Sequence, residues 1–126
     1  MAKRGGGSTI NLGSIYGNVA LDFHVYDGTD ITMPAAYAAI KGGIASYSRY
    51  LASYWGRQGE RVNTVCPGGI FDNQPERFAV NYAGRTPLGR MGTPEDIDGP
   101  LAFLASDSAA YVTGVVLMMD GAWTAI

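Results

Sequence analysis

Apolar and polar positions along the chain alternate between two periods. Ser8-Thr9-Ile10-Asn11-Leu12 is short, β-prone and preceded by three glycines, which predicts a strand. From Ala35 to Trp55 the apolar positions Ile40, Ile44, Tyr47, Leu51 and Tyr54 recur at spacings of 4, 3, 4 and 3, the stripe of an amphipathic helix. Thr32 stands where an N-cap is expected, Pro34 falls in the first turn, and Gly56 and Gly59 supply stop signals. Arg61-Val62-Asn63-Thr64-Val65-Cys66 predicts a second strand, closed by Pro67-Gly68-Gly69, residues expected not to continue a ladder. A short helix is expected near Pro75 to Tyr82, then a loop from Gly84 to Arg90. Thr93-Pro94-Glu95-Asp96 opens another helix, with Thr93 as N-cap, Pro94 at the first helical position and acids where the helix dipole favours them. Leu101, Leu104 and Ala105 continue its apolar face. Gly114 to Gly121 is almost wholly apolar and predicts a strand covered on both faces, as in parallel sheets.

The order β-α-β-(α)-α-β predicts an α/β layer fold with right-handed crossovers. Three strands make a small sheet whose first and last members are edges, and the last is too apolar to stand exposed. Either a partner subunit covers it or the chain is half of a larger doubly wound sheet.

Composition narrows this picture. The 126 residues are 47% hydrophobic and 16% charged, globular and poorer in charge than the roughly 25% of an average soluble domain. A formal charge of −2 and a pI near 5.1 argue against phosphate-backbone binding, so no nucleic-acid partner is expected. One cysteine, Cys66, and one histidine, His24, exclude an internal disulfide and leave too few soft ligands for a structural zinc site. No metal is expected, and a reducing, cytoplasmic setting fits. The start Met1-Ala2-Lys3-Arg4 is followed by no apolar run of the signal-peptide kind, and no stretch approaches the roughly 18 apolar residues of a membrane span. Cys66 reads as a buried small hydrophobe and His24 as a surface residue. Trp55, Tyr47, Tyr50 and Tyr54 read as core or subunit interface.

The chemistry-bearing residues sit on the predicted helix. Tyr37 and Lys41 are four apart, which places them on one face about 40° apart around the axis. A phenol is a poor base at neutral pH, and a neighbouring ammonium favours the phenolate, making the pair usable in acid–base work. With eight tyrosines in the chain the pair alone is weak evidence. What raises it is the series around it: Gly13-Ser14 at a strand end, Tyr37 and Lys41, a strand ending in Pro67-Gly68-Gly69, then Arg90-Met91-Gly92-Thr93-Pro94-Glu95-Asp96-Ile97, Val112-Thr113-Gly114 and Met119-Asp120-Gly121.

That series resembles the short-chain dehydrogenase/reductase family over essentially the whole chain, and it covers the family's C-terminal half. The resemblance implies the C-terminal half of a doubly wound parallel, Rossmann-type sheet of about three strands with flanking helices. It makes residues 1–126 a single partial domain holding the catalytic and substrate half. Ser14, Tyr37 and Lys41 would be catalytic: Tyr37 exchanging a proton with a carbonyl or alcohol, Lys41 favouring the phenolate and holding the nicotinamide ribose, and Ser14 bonding the reacting oxygen. Tyr37, Lys41, Pro67, Gly68 and Ile70 would bind the cofactor, NAD or NADP. The implied function is hydride transfer between nicotinamide and a carbonyl or alcohol of a small molecule.

Departures from the family pattern carry further expectations. Ser14 and Tyr37 are 23 residues apart, a longer interval than is usual, so residues 17–33 are expected to form an inserted loop at the site mouth and 70–92 the substrate loop. Asp72 replaces a common Thr, Gly13 the first Ser and Ala122 a second Gly. No Thr-Gly-x-x-x-Gly-x-Gly turn is present, and Gly5-Gly6-Gly7 precedes a strand instead of following one. The family's catalytic Asn is missing too. The dinucleotide-binding half is therefore expected to be absent, the chain a truncation, and the isolated chain inactive. Tyr26-Asp27-Gly28-Thr29, Thr32-Met33-Pro34, Gly69-Ile70 and Asp72-Asn73-Gln74-Pro75 resemble the branch called flagellin modification protein A. That implies a sugar or sugar phosphate in surface-glycan biosynthesis; a polar pocket of Asp72, Asn73, Gln74 and Arg85 is compatible with it, and the same residues read equally well as a solvated loop. A homo-oligomer through the 35–55 helix and the C-terminal strand is expected. The alternative is a non-catalytic α/β interaction or oligomerisation module.

Overall fold

The computed structural model describes residues 5–126; the basic start Met1–Arg4 lies outside the described residues. Gly7–Leu12 (β1) pairs in parallel with Glu60–Pro67 (β2), and β2 with Val116–Met119 (β3), in the sheet order β1-β2-β3. Between the strands run the helices Ala35–Trp55 (α1), Glu76–Arg85 (α2) and Glu95–Ala105 (α3). The predicted open three-stranded α/β sheet is thus what forms, with β1 and β3 as its edges. Strand alternation sorts the two faces. Thr64 faces α1, where its hydroxyl donates to Ser48 Oγ at 2.7 Å. Val65 faces α3 and packs with Leu104 and Ala109, flanked by Ile10, Leu117 and Met119. A second core gathers Ile15, Tyr16, Val25, Phe78, Tyr82, Met91 and Trp123 beyond the carboxyl ends of the strands.

The α1 boundaries agree with the periodicity, but the buried face does not. Ile40, Tyr47 and Tyr54 are 62%, 58% and 59% exposed, and the buried residues are Ala45, Ser48 and Ala52. That second stripe has the same spacing in small residues, which lets the helix lie close on β2. Ser48 serves both elements: it donates to the Ile44 carbonyl at 2.9 Å and accepts from Asn11 Nδ2 at 2.9 Å. The aromatic stripe faces outward, with Tyr50 and Tyr54 stacked at 5.9 Å.

Other local expectations are corrected. Thr32 does not cap α1; the N-cap is Pro34, with no side-chain bond, and its carbonyl accepts the Tyr37 N–H at 2.9 Å. Pro67 continues the ladder as the last β2 residue, opposite Met119, and the Gly68 N–H also donates to the Met119 carbonyl at 3.0 Å. Pro needs only its carbonyl at a strand end, which is why it is tolerated there. The N-cap of α3 is Pro94 instead of Thr93, and closure comes from Asp96, whose carboxylate accepts the Thr93 N–H at 2.8 Å. The apolar run 114–121 yields only four strand residues, all half-buried, because β3 is an edge. The helix expected near Pro75–Tyr82 is α2, one turn longer at its C-terminal end.

Ala122 takes a left-handed conformation, φ 70° and ψ 18°, in the turn after Asp120. A Cβ is unfavourable there, which accounts for glycine being the usual residue. Ala122→Gly is therefore expected to stabilise the chain by about 0.5–1 kcal/mol, read as a higher urea midpoint at unchanged m-value.

Candidate active site

The β1 strand delivers the chain to Gly13 and Ser14. A Cβ on Gly13 would stand 2.6 Å from Cys66 Sγ and 2.8 Å from Thr64 Cγ2, so any side chain there would crowd β2. Ser14 is buried and N-caps a 3-10 turn at Ile15–Gly17, its Oγ accepting the Tyr16 N–H at 3.2 Å. At the end of that turn Gly17 lies against the α1 backbone: a Cβ on Gly17 would be 2.6 Å from the Lys41 carbonyl carbon. This approach seats the Ser14 turn on α1 at Lys41, one helical turn from Tyr37. Lys41 Nζ donates to the Leu12 carbonyl at 3.0 Å and lies 5.6 Å from the Tyr37 ring centroid. The structure thus brings Ser14, Tyr37 and Lys41 to one end of the sheet.

Pro67, Gly68 and Ile70 follow from β2. Pro67 is buried in the ladder, whereas Gly68 and Ile70 line a cavity of about 380 Å³ together with Tyr82, Arg90, Met118 and Asp120. Ser14, Tyr37 and Lys41 do not line it. The Ile70 carbonyl accepts Gln74 Nε2 at 2.9 Å. Tyr82 accepts the Gly69 N–H, and burial pushes its phenol up to about 12. Arg90 grips Asp96 in a fork at 2.6 and 2.9 Å; the guanidinium and the Thr93 N–H hold this carboxyl well below the usual carboxylate range.

Of the two readings of Asp72, Asn73, Gln74 and Arg85, the solvated loop is the one that forms, and the polar pocket does not assemble. Asp72 and Asn73 are exposed, and Gln74 accepts the Asp72 N–H at 2.7 Å, closing its own loop. Arg85 instead pairs with Asp22 at 3.3 Å, covers the Trp123 ring at 5.1 Å and donates to the Ile126 carbonyl at 3.3 Å. The segment 17–33 folds down onto α2. Val25 is buried in the second core, Asn81 Nδ2 donates to the carbonyls of Val25 at 3.3 Å and Asp27 at 3.1 Å, and the Tyr26 ring lies 5.3 Å from Phe78. His24 is on the surface beside Asp27 at 3.2 Å, which raises its pKa, and Cys66 is a buried free thiol. Sequence reasoning passed over Tyr16 and Tyr82. The i, i+4 pair Phe78–Tyr82 was the available signal for the second, and nothing but proximity to Ser14 marked the first.

A parallel three-stranded sheet carrying a Tyr-x-x-x-Lys helix against a serine turn belongs to the short-chain dehydrogenase/reductase family. The family model described as enoyl-(acyl carrier protein) reductase matches residues 1–124, and the chain is a member of this family. It is 40% identical over 137 aligned residues to 2-(S)-hydroxypropyl-CoM dehydrogenase 3 of Xanthobacter autotrophicus, covering 100% of this chain and 49% of that protein. It is 39% identical over 121 residues to post-translational flagellin modification protein A of Campylobacter coli, covering 96% of this chain and 47% of that one. Among solved structures, a short-chain dehydrogenase from Leptospira borgpetersenii with bound NAD+ superposes with a TM-score of 0.87 at 45% identity, covering 93% of this chain and 44% of that one. The chain spans about half the length of the curated relatives it matches. Among the described residues, no helix is long and apolar enough to cross a membrane.

Proposed function

We propose that this chain is the catalytic and substrate half of an NAD- or NADP-dependent dehydrogenase acting on a hydroxylated small molecule, with Tyr37 exchanging the proton of the carbonyl/alcohol pair. One observation carries the reading: the Gly17 contact seats the Ser14 turn on α1 at Lys41, one turn from Tyr37. Ser14 Oγ accepts the Tyr16 N–H, so its own hydrogen remains available for the reacting oxygen. Lys41 commits one of three N–H donors to the Leu12 carbonyl, which fixes the ammonium near the Tyr37 ring and leaves two donors for a ligand. The residues fit the nicotinamide end of the cofactor. Gly68 and Ile70 line a cavity of about 380 Å³ that Tyr37 and Lys41 do not line, so the fit rests on the two free Lys41 donors beside the Tyr37 ring. Lys41, Tyr37, Pro67, Gly68 and Ile70 would hold that end, and the bound cofactor supplies hydride transfer.

The resemblance to flagellin modification protein A supports a sugar substrate in surface-glycan biosynthesis. The outward aromatic stripe of α1 and the open edge of β3 are the surfaces for a second subunit or for a preceding half of the sheet. Because this sequence contains no phosphate-binding glycine turn, the chain alone is expected to show no saturable binding of NADH or NADPH. Fluorescence transfer from Trp55 and Trp123 to the reduced nicotinamide measures this, and micromolar binding would overturn it. Joined to the dinucleotide-binding half of a family member, the chain is expected to bind cofactor and oxidise polyols. A joined, folded protein that binds cofactor but oxidises no alcohol would count against the proposal.

A further inference from the structure

Where β2 ends, the Gly68 N–H makes a last rung to the Met119 carbonyl at 3.0 Å. The chain is held again just beyond, by an isolated bridge between Ile70 and Gly92, with the Phe71 N–H donating to the Gly92 carbonyl at 2.8 Å and the Gly92 N–H to the Gly69 carbonyl at 2.9 Å. Between these two holds the Gly69 N–H has no strand partner, and a half-buried amide needs one. The Tyr82 hydroxyl takes it, reaching over from α2 so that its oxygen accepts the Gly69 N–H. The fit is close on both sides. A Cβ on Gly69 would stand 2.7 Å from Tyr82 Cζ, and one on Gly68 would stand 3.0 Å from Tyr82 Oη and 3.1 Å from Asp120 Cα, so the glycine pair is wedged between the phenol and the residue that follows β3. Tyr82 is itself fixed: it is 3% exposed, stacked on Trp123 at 4.3 Å and tilted against Phe78 at 5.8 Å. Gln74 Nε2 also reaches the turn, at the Ile70 carbonyl, but from within the same loop. Tyr82 is thus the side chain that ties the turn to the second core.

We infer that Tyr82 is a positioning residue for the cofactor: through the Gly69 N–H it sets the place and tilt at which the Gly68–Ile70 turn meets the nicotinamide, without touching a reacting atom itself. The inference rests on the dehydrogenase reading above and deepens it, since it names the group that shapes the nicotinamide end of the site from behind. Two glycines in a row make a turn that many backbone conformations would satisfy. The phenol selects one of them, and a small displacement of a group that orients a reactant is costly. Because the effect passes through this turn alone, it is confined to the nicotinamide and leaves the adenosine and diphosphate end of the cofactor untouched.

The test joins the full chain to the dinucleotide-binding half of an NAD-dependent family member and compares NADH with ADP-ribose, which lacks the nicotinamide. The joined wild-type protein is expected to prefer NADH. Tyr82→Phe keeps the ring and removes the acceptor, so it is expected to bind NADH about tenfold more weakly and ADP-ribose as before. Val25→Ala thins the same core from the 17–33 segment, so it is expected to lower the urea midpoint yet keep the preference for NADH. An unchanged preference in Tyr82→Phe, an equal loss in Val25→Ala, or a wild-type protein that binds ADP-ribose as tightly as NADH overturns the assignment. Amide hydrogen exchange in the 126-residue chain gives a reading that needs no variant: the Gly69 amide is expected to be protected, and exchange at the rate of an unbonded amide overturns the assignment as well. The two readings fail separately. A joined protein that oxidises an alcohol while Tyr82→Phe keeps the NADH preference removes this inference alone, whereas one that binds NADH and oxidises no alcohol removes the dehydrogenase reading.

Discussion

Tyr37→Phe is expected to lower kcat by roughly 10²–10⁴-fold in this chain joined to a dinucleotide-binding half. The phenyl ring keeps its contacts with the second core, so the urea midpoint should hardly move. What disappears is the group that exchanges a proton with the reacting oxygen, an interaction made in the transition state, so kcat and kcat/KM should fall together. Lys41→Met is expected to act on the same step, and also to weaken cofactor binding, because it removes both the charge near the ring and the donors that remain after the Leu12 bond. An unchanged kcat in Tyr37→Phe, with cofactor bound, would remove this residue from the mechanism.

The β-α-β-α-α-β order was legible because each element carries its own period, and the span of α1 because Pro34 and Gly56 punctuate it. The facing of α1 was not. A hydrophobic stripe shows that a helix is amphipathic without showing which layer it meets, and Ala45-Ser48-Ala52 has the same spacing as Ile44-Tyr47-Leu51. Close approach to a sheet selects small residues, so the stripe with less apolar area went inward and the aromatic one was left outside. The caps failed for a related reason. Thr32 and Thr93 are good N-caps by residue type, but Pro34 and Pro94 fixed the helix starts beyond them, and Asp96 took over closure at α3. At the site, the shared facing of Tyr37 and Lys41 was readable from helical spacing, and the series of motifs around the pair singled it out. The contact that unites them with Ser14 was not, because it depends on what a glycine at position 17 lacks. The place of Arg85 was not legible since its partners, Asp22 on one side and Trp123 and the Ile126 carbonyl on the other, come from two segments distant in sequence.

Asn63→Asp is expected to be the most damaging single substitution for folding. Asn63 is 0% exposed at the centre of β2, its Nδ2 donating to the Val112 carbonyl at 2.9 Å and its Oδ1 accepting the Val115 N–H at 3.1 Å. The two bonds clamp the turn that launches β3, beside the Gly114 N–H to Val62 carbonyl bond at 2.7 Å. Asn63→Leu would leave one buried donor and one buried acceptor unpaired, at about 1–3 kcal/mol each. Asn63→Asp keeps the acceptor but turns a carboxylate toward the Val112 carbonyl in a dry site. Burial disfavours the charged form, so the folded-state pKa of this Asp is raised above its unfolded value near 3.9. Between those two values the native state binds the extra proton, so stability falls as pH rises. Asn63→Asp should therefore unfold more readily at pH 7 than at pH 4, whereas Asn63→Leu should show no such added slope relative to the parent chain. Urea midpoints at the two pH values measure the difference. An Asn63→Asp chain equally stable at both would mean that water reaches this carboxylate and that the clamp is looser than its two hydrogen bonds indicate.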